Sequence, residues 1–348
     1  MAMPDADLTT ALERSLGDHF GRSVAVSDLK LLAGGASRNI YGFTAHVDGE
    51  MAPRALVARS DAAPGRIRGT GVDEFALVAA VAEAGARVPR VYCRGCAGGE
   101  GGTDFYVMDR LSGEAIARKL HREDRYVETR ERLPEDLARS LARIHSIDPD
   151  DPRLGSLRSE SAAGKGDGDF AAREIARYRE LLAHAGAGHP FPLLALAARW
   201  LEQSRPACAR QTVVHGDFRV GNVMFDERGL TGVLDWELAH LGDPLEDLGW
   251  LAVRAWRFGR DDLAIGGLCS RERFWELYER ESGRPVDPAA ARYWEIFGNW
   301  KWAIICVMQG ASHKAGARPD VELAAIGRRV AEVEWEILDL LEEADRAG

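Results

Sequence analysis

The chain has 348 residues, 46% of them hydrophobic, with 55 acidic against 45 basic side chains and a formal net charge of −10. That length and apolar content suffice for a sizeable core spread over two lobes, while the negative balance, with no Lys/Arg run, argues against nucleic acid and acidic membrane surfaces as partners. No apolar run approaches the roughly 20 residues that span a bilayer, and the opening MAMPDADLTTALERSLGDHF lacks the basic and apolar regions of a signal peptide, so a cytoplasmic protein without a membrane segment is expected. Cys93, Cys96, Cys208, Cys269 and Cys306 are scattered and odd in number, which suits reduced thiols; the lone C-x2-C at 93–96 has no second pair at zinc spacing.

Residues 5–20 predict a helix in which Leu8, Leu12 and Leu16 recur every four positions and pack outside a sheet. Strands follow at 29–32 and 41–47, joined by a turn whose tip is Gly34-Gly35-Ala36-Ser37. Such small residues let backbone N–H groups and the Ser37 hydroxyl approach a triphosphate, although an ordinary Gly-Gly hairpin has the same composition. A third strand at 55–59 alternates so that Ala55, Val57 and Arg59 share a face; Arg59 then lies beside a nucleotide whose base Val57 roofs. Its guanidinium can grip phosphate in bidentate fashion, and the plain alternative is an edge-strand arginine. A helix starting at Asp73 ends by Gly85 and Pro89, with Glu74 in the first turn, where it can orient Arg59 or simply favour the helix terminus. Strands at 88–92 and 105–108 complete this part. Beyond Met108, MDRLSGEAI fits a connector whose backbone hydrogen-bonds an adenine edge.

The apolar period then becomes helical. Pro134 is expected to open LPEDLARSLARIHSID, with Leu137, Leu141 and Ile144 as its buried stripe and His145 as a core or capping group. Residues 155–169 are small and polar and read as a mobile surface segment, and helices at 169–182 and 192–203 follow. Residues 213–250 hold the densest chemistry. His215-Gly216-Asp217 follows a short apolar run, Asn222 stands five residues beyond Asp217, a strand begins at Val223, Gly229 turns the chain, and a second strand ends on Asp235. Such a hairpin lets Asp217, Asn222 and Asp235 converge: an amide and a carboxylate to share Mg²⁺, and a separate carboxylate to accept a hydroxyl proton. Glu237 can help hold the loop or a second metal; Asp243 and Asp247 suit capping of the next helix, His215 a loop brace, and His240 the surface. Helices at 274–280, 289–310 and 321–344 complete the chain; Trp294, Phe297, Trp300 and Trp302 on the middle one are read as core, although Gln309 stands with them.

His-Gly-Asp, Asp-x4-Asn and the later Asp-Trp-Glu resemble the aminoglycoside phosphotransferase and choline kinase-like phosphotransferases; GDPLEDLGW looks most like the phosphotransferase domains associated with acyl-CoA dehydrogenases. The resemblance implies an α+β, bilobal protein-kinase-like fold: residues 1–108 as a nucleotide-covering lobe of small antiparallel sheet and one helix, residues 109–348 as a larger, mainly helical lobe. It further implies ATP, or alternatively GTP, as phosphoryl donor with Mg²⁺. Asp217 becomes the catalytic base and Asn222 and Asp235 the metal ligands, while Asp247 resembles a family position that braces the catalytic loop through backbone hydrogen bonds. The nucleotide falls to Gly35, Ala36, Ser37, Val57, Arg59, Glu74, Met108, Asp109 and Leu111. In protein kinases the position of Arg59 is a lysine, a departure shared with the relatives that look closest. The acceptor implied is a small-molecule hydroxyl, with a hydroxyacyl-CoA leading, an aminoglycoside or macrolide second, and a nucleotide-binding pseudokinase or regulatory module as the reading from another class.

Overall fold

A computed structural model describes residues 5–32, 38–61, 72–98, 102–163, 169–186, 188–208, 210–317 and 319–347. Helix α1 (Asp5–Phe20) leads into β1 (Val24–Leu32), β2 (Arg38–Val47) and β3 (Arg54–Asp61); α2 (Glu74–Glu83), β4 (Val91–Ala97) and β5 (Thr103–Asp109) follow. The five strands form one antiparallel sheet in the order β1-β2-β3-β5-β4. The two-residue period of β3 divides its side chains between two faces. Leu56 and Ala58 join Leu8, Leu12 and Leu16 of α1, with Phe43 and Phe105, in one buried cluster, while Arg59 turns to the other face and meets Glu74 at the start of α2.

Two strands depart from the expected bounds. Strand β1 starts at Val24 rather than Leu29, because a register shift between Ser27 and Lys30, with Asp28 at φ +56°, breaks the alternation that marks a strand. Strand β4 runs over 91–97 rather than 88–92: a Cβ at Gly95 would overlap the Phe105 ring and the Ser15 hydroxyl, so the residue that reads as a breaker is the one that lets α1 approach the sheet.

The second part comprises α3 (Ala117–Arg122), α4 (Val127–Ile144), α5 (Gly155–Ala163), α6 (Phe170–Ala185), α7 (Pro192–Gln203), β6 (Thr212–Val214), β7 (Val223–Asp226), β8 (Gly229–Val233), β9 (His240–Gly242), α8 (Leu245–Ala252), α9 (Arg271–Ser282), α10 (Pro288–Lys314), α11 (Val321–Gly327) and α12 (Val330–Ala347). Its strands pair antiparallel, β6 with β9 and β7 with β8. Pro134 does not open a helix; it stands inside α4, which begins at Val127. Tertiary anchoring explains the earlier start, since the Thr129 hydroxyl donates to the Asp226 carbonyl at 2.8 Å and the Tyr126 ring meets Phe225 edge-on. Nor is 155–169 a surface segment throughout: α5 occupies 155–163 and buries Leu157 completely, next to an equally buried Leu154. Residues 164–168 lie outside the described residues.

The expected closing helix is two. The chain turns after Gly327, where α11 crosses α10 so closely that a Cβ on Gly327 would stand 2.6 Å from the Gly310 Cα; α12 then returns Val333, Ile337 and Leu341 to the core around α10. There Trp294, Phe297 and Trp300 are buried as expected. Helix α8 crosses α10 at Gly249 and Gly298, where a Cβ on Gly249 would overlap the Trp294 carbonyl and lie 2.6 Å from the Glu295 nitrogen. Backbone cannot yield as a side-chain tip can. Gly249→Ala is therefore expected to destabilise by about 1–3 kcal/mol, read as a lower midpoint in urea denaturation with an unchanged slope.

Candidate active site

Strand β6 delivers the chain to His215-Gly216-Asp217, and the backbone there is held from several sides. The N–H groups of His215 and Gly216 donate to the two oxygens of Asp247 at 2.8 and 3.0 Å. Asp247 also meets His145 Nε2 at 3.1 Å, and His145 Nδ1 meets the Tyr278 hydroxyl at 2.8 Å. All this is buried: Asp247, His145 and His215 have no exposed surface. Burial pushes the Asp247 carboxyl up, yet His145 and His215 outweigh it and hold the group below its ordinary value. His215 braces the loop as expected. Its Nδ1 accepts the Asp217 N–H at 3.2 Å, so Nε2 carries the hydrogen that reaches the Leu234 carbonyl at 3.0 Å. Gly216 has φ +78°, and a Cβ there would overlap the Leu238 carbonyl.

The Asp217 carboxylate emerges from this frame with its own donors. Oδ1 accepts from the Trp250 indole at 2.7 Å and from Arg219 Nε at 3.1 Å, and Oδ2 accepts from Asn222 Nδ2. The same Nδ2 donates to the Asp217 backbone carbonyl at 2.9 Å. Only an amide nitrogen can serve both oxygens, so Asn222 Oδ1 is turned away from Asp217.

Asp235 joins through backbone. The Leu234 N–H donates to the Asn222 carbonyl at 2.8 Å, and the next residue, Asp235, adopts φ +67°, a left-handed conformation uncommon outside glycine and tolerated by aspartate. Its carboxylate is 40% exposed, and Oδ1 accepts from Arg59 Nη2 at 3.1 Å. Arg59 in turn stands 3.4 Å from Glu74 Oε2, which takes the Tyr106 hydroxyl at 3.1 Å. Burial works against the Arg59 charge, but Tyr106, Glu74 and Asp235 outweigh it and raise its pKa. Two polar groupings thus meet at this point: Glu74, Arg59 and Asp235 on the sheet side, and Asn222 with Asp217 on the loop side, joined through the backbone by the Leu234 N–H on the Asn222 carbonyl. A 590 Å³ hollow between α2 and β4–β5 borders Arg59 and Glu74, away from Asp217.

Other expected site residues are placed as follows. Val57 and Met108 are direct partners across β3 and β5, so their side chains share a face. The Asp109 N–H is committed to the Arg90 carbonyl and its carboxylate to the Tyr92 hydroxyl at 2.6 Å. Leu111 packs against Gly232 of β8, where a Cβ would displace it. Gly35, Ala36 and Ser37 lie outside the described residues.

His240 is not at the surface. Its side chain is 15% exposed and its Nε2 meets Glu246 Oε2 at 3.0 Å, because β9 pairs with β6 and carries it inward. Burial alone would lower its pKa, but Glu246 dominates and pushes it up to about 9. A pKa raised on folding gives stability that is whole below the ordinary value near 6.5 and lost as pH rises through about 9. The free energy of unfolding is expected to fall by on the order of 2–3 kcal/mol over that window, and His240→Gln to flatten this part of the profile, both read by urea denaturation at stepped pH. Sequence reasoning also missed Trp250, Arg219 and Lys301 around Asp217. Arg219 was visible as a neighbour in GDFR, Lys301 as a lone cation within NWKWAIICV, and Trp250 as the last residue of GDPLEDLGW.

A family model described as a phosphotransferase enzyme family (APH) matches residues 28–292. Acyl-CoA dehydrogenase family member 10 of Mus musculus is 27% identical over 298 residues; the match covers 82% of this chain and 26% of that protein, so the chain spans about a quarter of that relative's length. A solved structure from Ralstonia eutropha JMP134, provisionally named an aminoglycoside phosphotransferase, superposes with a TM-score of 0.72 at 25% identity, over 94% of this chain and 97% of the other. The aminoglycoside phosphotransferase APH(4)-Ia, solved as a ternary complex with ADP and hygromycin B, gives a TM-score of 0.56 at 18% identity over 95% and 98%. With a matched region that takes in the sheet, the loop at Asp217 and the start of α10, the chain belongs to the phosphotransferase enzyme family and carries its kinase-like fold.

Proposed function

We propose that this phosphotransferase moves the γ-phosphoryl group of ATP onto the hydroxyl of a small molecule, with Asp217 orienting the acceptor and taking its proton. The observation that carries this reading is that the Glu74–Arg59–Asp235 ion pairs and the Asn222–Asp217 pair are tied together through the Leu234 N–H on the Asn222 carbonyl. It joins a cation suited to phosphate, two oxygen donors suited to a hard metal ion, and a carboxylate suited to a proton. The donor set fits Mg²⁺: Asn222 would offer Oδ1, since its nitrogen is engaged, and Asp235 its part-exposed carboxylate. Bound there, Mg²⁺ would neutralise charge on the phosphate oxygens. Arg59, held by Glu74, would bind α/β-phosphate. Val57 and Met108 would roof the base, while the Asp109 carbonyl and the Leu111 backbone would meet its edge, since the Asp109 N–H is already engaged. Gly35, Ala36 and Ser37 are assigned to the phosphate tail on sequence alone.

For the acceptor we favour a hydroxyacyl-CoA. Beside Asp217, the Arg219 guanidinium lies 4.8 Å over the Trp256 ring, and Trp256 packs on Trp250 and Trp302. Trp250 and Trp256 are buried and fix the part-exposed guanidinium, and a fixed cation beside the base suits an acceptor with an anionic headgroup better than it suits a polycation. The similarity to an acyl-CoA dehydrogenase family member agrees with this choice. The test incubates the protein with Mg²⁺ and γ-labelled ATP, with GTP in parallel, against hydroxyacyl-CoAs of varied chain length, an aminoglycoside and a macrolide. Label on the hydroxyacyl-CoA is expected. Label on an antibiotic instead overturns the acceptor, and no label despite stabilisation by Mg²⁺ and ATP in a thermal shift makes the chain a nucleotide-binding module.

A further inference from the structure

Helix α10 is apolar through its centre, yet Lys301 sits there with 2% of its surface exposed. An ammonium in such a place is unfavourable by several kcal/mol unless other groups replace its water. Three do. Nζ donates to the Gly216 carbonyl at 2.9 Å, stands 3.5 Å from Glu246 Oε1, and lies 4.6 Å from the centroid of the Trp250 ring. The distances rank these partners. Glu246 offers Oε2 to His240 at 3.0 Å and Oε1 to Lys301 at 3.5 Å, so its pairing with the lysine is the looser of the two. The lysine's tightest contact is the loop carbonyl that precedes Asp217.

That contact closes a clamp. The Gly216 N–H is held by Asp247 and its C=O by Lys301, which removes rotation of the peptides on either side. The indole under the ammonium continues outward, its N–H donating to Asp217 Oδ1 at 2.7 Å. Cation, ring, indole N–H and carboxylate are therefore linked in series, and Nζ also lies 5.5 Å from the centroid of the Tyr178 ring. Oδ1 is spoken for by Trp250 and Arg219. The oxygen with a lone pair left for an acceptor hydroxyl is Oδ2, which accepts from Asn222 alone among the described contacts.

We infer that Lys301 and Trp250 are positioning residues for phosphoryl transfer: Lys301 holds the loop peptide and the Trp250 ring, and Trp250 turns Asp217 so that Oδ2 faces the acceptor. The inference rests on the phosphotransferase reading of Asp217 above. No bond forms or breaks at either residue; their contribution is orientation, and an error of about 1 Å at a reacting group costs on the order of 100-fold in rate.

The decisive variant is Trp250→Phe, which keeps a ring beneath the ammonium and removes only the N–H. With γ-labelled ATP and the hydroxyacyl-CoA accepted by the wild type, its turnover number should fall about 10- to 100-fold while the KM for ATP stays within about two-fold. Lys301→Met should act in the same direction, and the double variant should be no slower than the slower single one, as for residues acting as a unit. Should Lys301→Met fail to fold, Trp250→Phe still decides. A second readout needs no turnover. The indole nitrogen–proton resonance that vanishes in Trp250→Phe should move in Asp217→Asn. Trp250→Phe turning over at the wild-type rate, or a resonance indifferent to Asp217→Asn, overturns the positioning role alone. A wild type that transfers no label sinks instead the reading on which it rests.

Discussion

Asp217→Asn is expected to abolish most phosphoryl transfer, by about 10²- to 10⁴-fold in turnover number, while affinity for Mg²⁺ and ATP is retained. The replacement is nearly isosteric. Its amide keeps one oxygen for the Trp250 indole or Arg219 but has no carboxylate to take a proton, so the loss falls on the chemical step rather than on nucleotide binding. Arg59 and Asp235 are untouched, Arg59 still bridges Glu74 and Asp235, and Asn222 keeps its bond to the Asp217 backbone carbonyl while losing the one to the side-chain oxygen. Single-turnover transfer and nucleotide titration of the same protein separate the two effects. Normal transfer by Asp217→Asn would remove Asp217 as the base. Weakened nucleotide binding with an intact chemical step would move Asp217 to the metal site.

Asp247→Ala should give the largest loss of stability. The carboxylate is fully buried and accepts from two backbone N–H groups and from His145; alanine leaves those donors without an acceptor and without access to water. A loss of about 3–5 kcal/mol is expected, measured by denaturant unfolding. Turnover should fall as well, since the freed Gly216 peptide carries Asp217 with it. Asp247→Asn should be intermediate, because an amide oxygen can serve one donor while its nitrogen confronts another. The pH dependence has a definite sign. A carboxyl held below its ordinary value on folding contributes stability above the unfolded pKa, near 3.8, and that stability is lost as pH falls through the folded value. Wild-type protein should therefore weaken on acidification below about pH 4, a slope shallower in Asp247→Ala. An unchanged acid limb in the variant would mean the stability lies elsewhere.

The chain's local text carried a good deal of this. Strict alternation in ALVAR sets Arg59 opposite the α1 face of the sheet, and the spacing of His215, Asp217 and Asn222 sets an amide and a carboxylate on one short loop, because both patterns depend on neighbours a few residues apart. The same text misled wherever a long-range contact overrode a local signal. Gly95 reads as a break but lets α1 approach β4; Pro134 reads as a start but lies within a helix already anchored on Asp226; His240 reads as surface until β9 pairs with β6. Periodicity reports which way a residue faces, and it does so through short-range geometry. Which partner waits on that face is set by packing between segments far apart in the chain. Sequence alone therefore determined the fold class, the alternation of the sheet and the order of the phosphotransfer motif. Only the tertiary structure decided that Trp250, 33 residues away, holds Asp217, and that Lys301, 85 residues from Gly216, secures the peptide before it. A buried charge can be understood only from the groups that replace its water, and those groups meet when the chain is folded.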